Sequence, residues 1–141
     1  MKLIRLTIHN MASIGDAIID FSAKPLADSE VFLISGKTGA GKSTILDCIC
    51  LALFASAPRF RNTRINGAAS DNSANEQINV NDPRQILRRN TGEGFTLLEF
   101  RGNNDVNYIA RILLRISLLS LSLLFRKRVN SPWASITVRQ N

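Results

Sequence analysis

The stretch "SGKTGAGKST", residues 35–44, governs how the rest of the chain is interpreted. Gly36 and Gly41 bracket four residues and precede Lys42 and Ser43, which is the G-x-x-x-x-G-K-[ST] pattern of a phosphate-binding loop (P-loop). The glycines let the backbone turn so that successive N–H groups point at one phosphate. The stretch therefore predicts a site for a nucleotide, with ATP and Mg²⁺ as the expected cofactors.

The pattern also assigns a role to each residue type. Lys42 is expected to reach the β- and γ-phosphates and is the catalytic candidate, and the Ser43 hydroxyl is the candidate Mg²⁺ ligand. Thr44 falls in the first helical turn, where the helix N-terminus adds partial positive charge beside the α-phosphate. The expected ATP-binding set comprises Gly36, Lys37, Thr38, Gly39, Ala40, Gly41, Lys42, Ser43 and Thr44.

The flanking segments provide the context that such a loop requires. Residues 31–35, "VFLIS", form a short apolar run that is typical of a buried strand. Residues 42–54, "KSTILDCICLALF", lack Gly and Pro and are apolar on nearly every side, which predicts a helix buried in the core and closed by Pro58. A strand, a loop and a helix in this order favour a nucleotide site over a glycine-rich turn without a ligand.

Composition limits the remaining possibilities. A chain of 141 residues with 45% hydrophobic content suits one domain with an ordinary core. Cys48 and Cys50 fall two apart in the predicted helix, so they point in different directions and are expected to be reduced core residues of a cytoplasmic protein. The N-terminus lacks the apolar block of a signal peptide. His9, the single histidine, is expected to be a hydrogen-bonded surface or turn residue and not a metal ligand.

Other segments predict an α/β fold. Residues 2–9 predict a strand, and residues 16–21 predict a second strand after a turn at Gly15. Residues 62–82 predict a long exposed loop, and residues 82–90 predict a short helical turn that begins with Asp and Pro. The stretches "FTLLEFRG" and "VNYIARI" predict two strands joined by a turn at "GNND".

The net charge of +7 is concentrated at the C-terminal end. Residues 112–141 hold five basic residues and no acidic residue, whereas residues 1–111 hold 13 basic and 11 acidic residues.

Leu, Ser and Arg make up 16 of the 30 residues in the tail, residues 112–141. Each of these amino acids has six codons, which favours a frameshifted or truncated gene as the origin of this tail. The alternatives are a membrane segment, which is shorter than the roughly 20 residues of a span and contains Arg115, or an amphipathic surface anchor. The Leu/Ser spacing of the tail fits neither a helix nor a strand cleanly, which argues against such an anchor.

Three stretches together resemble the N-terminal lobe of the SbcC family. They are "LTIHNMASIGDAIIDF", "PLADSEVFLISGKTGAGKSTILDCICLALFASAPRF" and "DPRQILRRNTGEGFTLLEFRG". SbcC-type proteins are ATPase subunits of a DNA double-strand-break exonuclease and belong to the ABC-type ATPases, as SMC proteins do. The resemblance covers roughly residues 1–110 and implies that residues 1–111 are the N-terminal half of an ABC ATPase head, a P-loop NTPase with a mixed β-sheet packed on the P-loop helix. Residues 112–141 depart from it.

The resemblance also implies partners. The turn at residues 9–13 would lie beside the adenine, and Arg84, Arg88 and Arg89 would face the phosphates of double-stranded DNA. An equally weighted alternative for these arginines is a solvated or internally paired turn. The resemblance further implies a dimer of heads clamped by ATP and a metallonuclease partner that carries out the chemistry on DNA. No stable membrane span is expected.

The departures from the family pattern define what this chain is expected to lack. An ABC-type site also needs an Asp for the metal, a Glu that polarises the attacking water and a signature loop from a second head. None of these follows the P-loop, and Asp20 precedes it. The family places them in a C-terminal lobe, beyond a coiled coil. We therefore expect ATP binding without turnover by the isolated chain, with hydrolysis dependent on that lobe.

Other functions remain open. One is another P-loop protein, such as a transporter-type ATPase or a small nucleotide kinase, although "HNMAS" lacks the aromatic residue that transporter ATPases place near the adenine. The other is a non-functional gene fragment that retains the P-loop.

Overall fold

The computed structural model describes residues 1–29, 31–61, 83–116, 122–128 and 134–139. The strands are β1 Lys2–Met11, β2 Ile14–Asp20, β3 Glu93–Arg101, β4 Asn107–Arg115, β5 Ser122–Arg128 and β6 Ala134–Arg139. The helices are α1 Lys42–Phe54 and α2 Pro58–Arg61, with short 3-10 turns at Leu26–Asp28 and Pro83–Ile86. The strands of these ranges form one sheet in the order β2-β1-β3-β4-β5-β6.

The sheet forms because its strands alternate in hydrophobicity. In β3, Thr96 and Leu98 are fully buried, while Phe95 and Leu97, which alternate with them, are only partly buried. The same two-residue period appears in β4, where Ala110, Ile112 and Leu114 are buried. One face of the sheet is therefore apolar and requires a covering layer.

Helix α1 supplies that layer by packing across β1, β3 and β4. Cys48, Leu51 and Ala52 have no exposed surface and meet Leu6, Ile8, Leu98 and Ile112 in one hydrophobic cluster. Positions three and four apart lie on the same side of a helix, which explains why these three residues face the sheet together. Burying a side chain such as Leu51 contributes about 1.5–3 kcal/mol.

The sequence-based boundaries of α1 are confirmed, since the helix runs from Lys42 to Phe54. The prediction that it is buried on nearly every side is wrong. Leu46 is 56% exposed and Phe54 is 68% exposed, on the side away from the sheet. None of the described residues covers this side, so apolar character alone did not lead to burial.

The prediction of a buried strand at residues 31–35 is also wrong. This segment has no regular structure, and Val31 and Leu33 are 87% and 88% exposed. A buried strand needs neighbouring strands to pair with its backbone N–H and C=O groups. No described strand pairs with residues 31–35, and only Phe32 finds an aromatic neighbour, Phe21, with ring centroids 5.2 Å apart.

The α/β class is supported by one sheet packed on the P-loop helix. Each pair of neighbouring strands in the described residues is antiparallel. These residues therefore contain only the antiparallel part of the expected mixed sheet. A parallel pair would require the segment before the P-loop to join the sheet, and this segment stays outside it. The strands expected within residues 1–112, apart from residues 31–35, are all present.

One turn differs from expectation. The first turn lies at Ala12 and Ser13, and Gly15 is already inside β2. Ala12 adopts a left-handed φ of 47°, and its N–H donates to the Ile86 carbonyl at 2.6 Å, so a tertiary contact holds a turn that needs no glycine. The expected long loop at residues 62–82 lies outside the described residues.

Regular structure continues beyond residue 111, although the Leu/Ser spacing of the tail fits neither a helix nor a strand cleanly. Strand β4 continues to Arg115, and β5 and β6 extend the sheet by antiparallel pairing. A sheet edge presents a row of unpaired N–H and C=O groups, and a following segment can satisfy them through its backbone whatever its side-chain spacing. The division at residue 111 stays a prediction. No helix in the described ranges is long and apolar enough to cross a membrane.

Candidate nucleotide-binding site

The P-loop backbone turns where its glycines permit. Gly39 and Gly41 adopt left-handed φ values of 83° and 87°, which other residues adopt only at a cost. Gly41 has a second constraint, because a Cβ atom there would lie 3.1 Å from the Ser13 Oγ and from the Ile14 Cγ1. The loop is thus packed directly against the β1–β2 turn, and glycine at position 41 makes this approach possible.

Lys42 closes the loop on itself. Its ammonium group donates hydrogen bonds to the carbonyl oxygens of Gly36 at 2.7 Å and Lys37 at 2.8 Å. The Ala40 N–H also donates to the Lys37 carbonyl, and the Ile45 N–H begins α1 by donating to the Gly41 carbonyl. The loop therefore forms a closed ring with a cation at its centre, joined directly to the first turn of the helix.

The loop borders a cavity of about 480 Å³. Its walls come from three places in the chain: the β1–β2 turn, the P-loop with the start of α1, and the start of α2. The lining residues are Ala12, Ser13, Thr38, Gly39, Gly41, Lys42, Ser43, Thr44 and Arg59. The structure thus brings six of the nine expected ATP-binding residues to one cavity, whereas Gly36, Lys37 and Ala40 support the loop from outside this lining.

The chemistry of this lining suits a phosphate anion and a magnesium ion. It offers the Lys42 ammonium, the Arg59 guanidinium and the hydroxyls of Ser13, Thr38, Ser43 and Thr44, and none of the described residues that line the cavity is a carboxylate. Cationic and hydroxyl donors favour phosphate oxygens, and a hydroxyl oxygen is an acceptable Mg²⁺ ligand. At the start of α1, Thr44 is only 5% exposed, whereas Ser43 is exposed to solvent.

The β1–β2 turn is held in place by residues 83–91. The Arg88 N–H donates to the Asn10 carbonyl at 3.0 Å, and the Arg88 guanidinium donates to the Ser13 carbonyl at 2.9 Å. Met11 and Leu87 add an isolated antiparallel bridge. Of the turn expected beside the adenine, Ala12 and Ser13 reach the cavity.

His9 does not reach the cavity. Its ring stacks on Phe95 with centroids 5.3 Å apart, its Nδ1 lies 2.6 Å from the Asp16 Oδ1, and its Nε2 lies 2.9 Å from the Asn10 Nδ2. The histidine is therefore the hydrogen-bonded surface residue that the sequence suggested. The described residues contain no group of three or more His, Cys, Asp or Glu side chains able to hold a metal ion.

The three arginines considered for DNA binding differ in their surroundings. Arg88 is exposed, but its guanidinium donates to the Ser13 carbonyl, so this residue supports the nucleotide side of the molecule. Arg89 is exposed and Arg84 is partly buried. Contact between these arginines and DNA stays a prediction.

Sequence reasoning missed one pair of residues at this site. Asp47 of α1 is 6% exposed, and its carboxylate forms an ion pair with the Arg59 guanidinium. Burial raises the pKa of the Asp47 carboxyl, and the positive charge of Arg59 opposes that rise. The signal was present, because Asp47 is the single acidic residue in an otherwise apolar helix and such a charge needs a partner.

The two cysteines lie apart from this chemistry. Cys48 is fully buried, and burial raises the pKa of its thiol to about 12. Cys50 is only partly buried, and burial raises the pKa of its thiol as well. Both are free thiols, as the sequence predicted, although Cys50 is not a core residue.

Comparison with known proteins connects this geometry to a family. A family model described as an AAA domain matches residues 5–132. The SbcC component of nuclease SbcCD from Pseudomonas aeruginosa is 40% identical over 112 residues, and that of Rhodobacter capsulatus is 43% identical over 115 residues. Each alignment covers 79% of this chain and 9% of the relative, so the chain spans about a tenth of the length of these curated relatives. The resemblance to SbcC that the sequence indicated is confirmed.

Proposed function

This chain belongs to the AAA domain family, and we propose that it is the ATP-binding N-terminal lobe of an SbcC-type ATPase subunit that acts in the repair of DNA double-strand breaks. One observation carries the proposal. The P-loop, the β1–β2 turn and Arg59 converge on a single cavity whose lining offers cationic and hydroxyl donors. The similarity to SbcC proteins supports the choice of this family over a transporter-type ATPase.

In this proposal residues 36–44 hold the phosphates. Lys42 exchanges its two loop carbonyl partners for phosphate oxygens, an exchange favoured because a full negative charge attracts the ammonium more strongly than a carbonyl dipole does. The Ser43 hydroxyl would hold Mg²⁺, which when bound neutralises phosphate charge. Thr44 and the N-terminus of α1 would stabilise the innermost phosphate.

We further propose that this lobe needs its own C-terminal lobe for hydrolysis. The described lining of the cavity contains no carboxylate that orients a water molecule, and catalysis requires groups that act on the transition state. Exposed apolar side chains lie on both sides of the P-loop, at Val31 and Leu33 before it and at Leu46 and Phe54 on α1 after it. These surfaces support the docking of a further lobe against them. A second head, a metallonuclease subunit and double-stranded DNA are the other proposed partners.

Calorimetric titration of ATP with Mg²⁺ into the 141-residue chain tests the binding site. Replacing Lys42 with Ala should weaken binding about a hundredfold, because it removes the charge at the centre of the loop. Lys24→Ala is the matched control, since the Lys24 side chain is 85% exposed and pairs with Asp28 outside the cavity lining. Equal affinity of the Lys42→Ala and unmodified chains would contradict the proposal.

Phosphate release tests the dependence on a second lobe. The isolated chain at saturating ATP should show no hydrolysis above that of its Lys42→Ala variant, and adding a separately produced C-terminal lobe should restore turnover. Steady hydrolysis by the isolated chain that Lys42→Ala abolishes would show that this chain already holds its catalytic carboxylate.

A further inference from the structure

We infer that Arg59 is a second phosphate-binding cation of the nucleotide site, positioned by the buried carboxylate of Asp47. This inference rests on the proposed ATP-binding function and adds to it a residue that lies outside the P-loop pattern. The ligand group concerned is the polyphosphate chain of the nucleotide, which is negatively charged. Among the P-loop side chains that line the cavity, Lys42 is the one that carries a positive charge.

The path of the chain brings Arg59 back to the P-loop. Helix α1 ends at Phe54, its C-cap residue Ala55 adopts a left-handed φ of 54°, and the chain reverses before α2 begins at Pro58. Asp47 lies four residues after Ser43, so both are on the same side of α1, one turn apart. By pairing with Asp47, the Arg59 side chain is held along that side of the helix and forms part of the cavity wall.

The ion pair is unequal in its exposure. The Asp47 side chain is 8% exposed, whereas the Arg59 side chain is 48% exposed. A buried carboxylate retains its cationic partner because an unpaired charge in the interior is strongly unfavourable. Asp47 therefore positions the guanidinium, while about half of the Arg59 side chain remains exposed and Arg59 lines the cavity.

The chemistry of arginine fits the second role. A guanidinium carries five N–H donors in a planar fork, a geometry that matches the oxygens of carboxylates and phosphates. Among the described residues, the cavity lining contains Arg59 and Lys42 as its cations and includes no carboxylate, so the local charge is suited to a polyphosphate. In this arrangement Arg59 contacts a phosphate while Asp47 holds its position.

A purely structural role for Arg59 makes a different prediction. If the pair only joins α1 to α2, removing Arg59 lowers stability and leaves the affinity of the folded chain unchanged. The inference instead requires a loss of affinity in variants that remain folded. Binding and thermal unfolding must therefore be measured on the same samples.

The experiment is calorimetric titration of ATP with Mg²⁺ into the 141-residue chain and its variants. Arg59→Ala should weaken binding about tenfold, which corresponds to the loss of one charge-assisted contact. Arg59→Lys should weaken it about threefold, because the charge remains but the fork is lost. Arg5→Ala is the matched control, since the Arg5 side chain is 46% exposed and pairs with Asp20 and Glu99 on the sheet, outside the cavity lining. Its affinity should not change.

The outcomes separate the two proposals. If Arg59→Ala binds as tightly as the unmodified chain while Lys42→Ala does not bind, the inference is overturned and the proposed function stands. If Lys42→Ala also binds normally, or if the unmodified chain does not bind ATP, both are overturned. If Arg59→Ala unfolds at the assay temperature, Arg59→Lys decides: weakened binding supports the inference, and unchanged binding overturns it.

Discussion

The two sides of helix α1 are equally apolar in sequence but differ completely in environment. On the side that meets the sheet, Cys48 and Leu51 have no exposed surface. On the other side, Leu46 is 56% exposed and Phe54 is 68% exposed. The difference shows that an apolar pattern identifies residues that gain from burial, whereas actual burial depends on a partner whose surface is brought to them.

Residues 31–35 repeat this contrast for a strand. Val31 and Leu33 belong to an apolar run that is as suited to a sheet as β3 or β4, yet both are almost fully exposed. Strand β3 is flanked on both sides, by β1 and β4, and residues 31–35 are flanked by no described strand. An apolar run with strands on both sides, such as β3, forms a strand. The apolar run at residues 31–35 has no described neighbouring strand, and its backbone is irregular.

Alanine substitutions on the two sides of α1 should give the largest contrast. Leu51→Ala should lower the free energy of unfolding by about 3 kcal/mol, because it leaves a cavity among fully buried neighbours. Leu46→Ala removes the same atoms from an exposed position and should change the unfolding free energy by less than about 0.5 kcal/mol. Urea denaturation followed by circular dichroism measures both values.

A second protein component would sharpen this contrast. If a C-terminal lobe covers the exposed side of α1, Leu46→Ala should become destabilising once that lobe is added, while Leu51→Ala keeps its original effect. Equal losses for both variants in the isolated chain would contradict the difference between the two sides.

The cysteines offer a chemical version of the same comparison. Cys50 should be alkylated by iodoacetamide at least about tenfold faster than Cys48 in the folded chain at about pH 8. The reason is that the thiolate is the reactive form, and complete burial both blocks access to Cys48 and raises its pKa to about 12. Mass spectrometry of peptides at timed intervals gives both rates.

Denaturant provides the control for this experiment. In concentrated urea the two cysteines should react at similar rates, because burial no longer separates them. Faster labelling of Cys48 than of Cys50 in the absence of urea would mean that the sheet side of α1 is the more accessible one.

The smallest expected effect concerns Asp47 and pH. Burial raises the folded-state pKa of Asp47 above its ordinary value, so the folded chain binds a proton more readily than the unfolded chain does. The contribution of Asp47 to the unfolding free energy therefore falls as pH rises from the ordinary pKa through the folded-state pKa. Asp47→Asn should lack this decline, so the stability of the unmodified chain relative to Asp47→Asn should decrease over that interval.

The difference in unfolding free energy between the unmodified chain and Asp47→Asn is measured by urea denaturation from about pH 3.5 to about pH 7. This interval begins near the ordinary pKa of aspartate. The positive charge of Arg59 opposes the rise in the pKa of Asp47. The Arg59→Lys variant keeps this charge, so its stability relative to Asp47→Asn should also decrease as pH rises. A relative stability that rises with pH would mean that attraction to Arg59 outweighs burial at this carboxyl.

The nucleotide site could be predicted from the sequence to the extent that it is local. The P-loop pattern and the run of helix formers after it identified the loop and the helix bounds at Lys42 and Phe54, because hydrogen bonds between near neighbours define both. Arg59 was not found, since no spacing rule connects it to Asp47 across the reversal between α1 and α2. The approach of Ser13 to the nucleotide site was expected only from the family resemblance, and its close contact with Gly41 depends on where the sheet places the β1–β2 turn.

The loop, the helix and the alternating strands could be predicted from the amino-acid sequence, since each rests on residue types at short, regular separations. The family was indicated separately, by the resemblance of three longer stretches to SbcC. Which apolar surfaces are covered became visible only in the folded molecule, as Leu51 and Leu46 show, and so did the position of Arg59 in the cavity wall. The physical reason is that burial and ion pairing are properties of two surfaces brought together in space, and a short segment of sequence specifies only one of them.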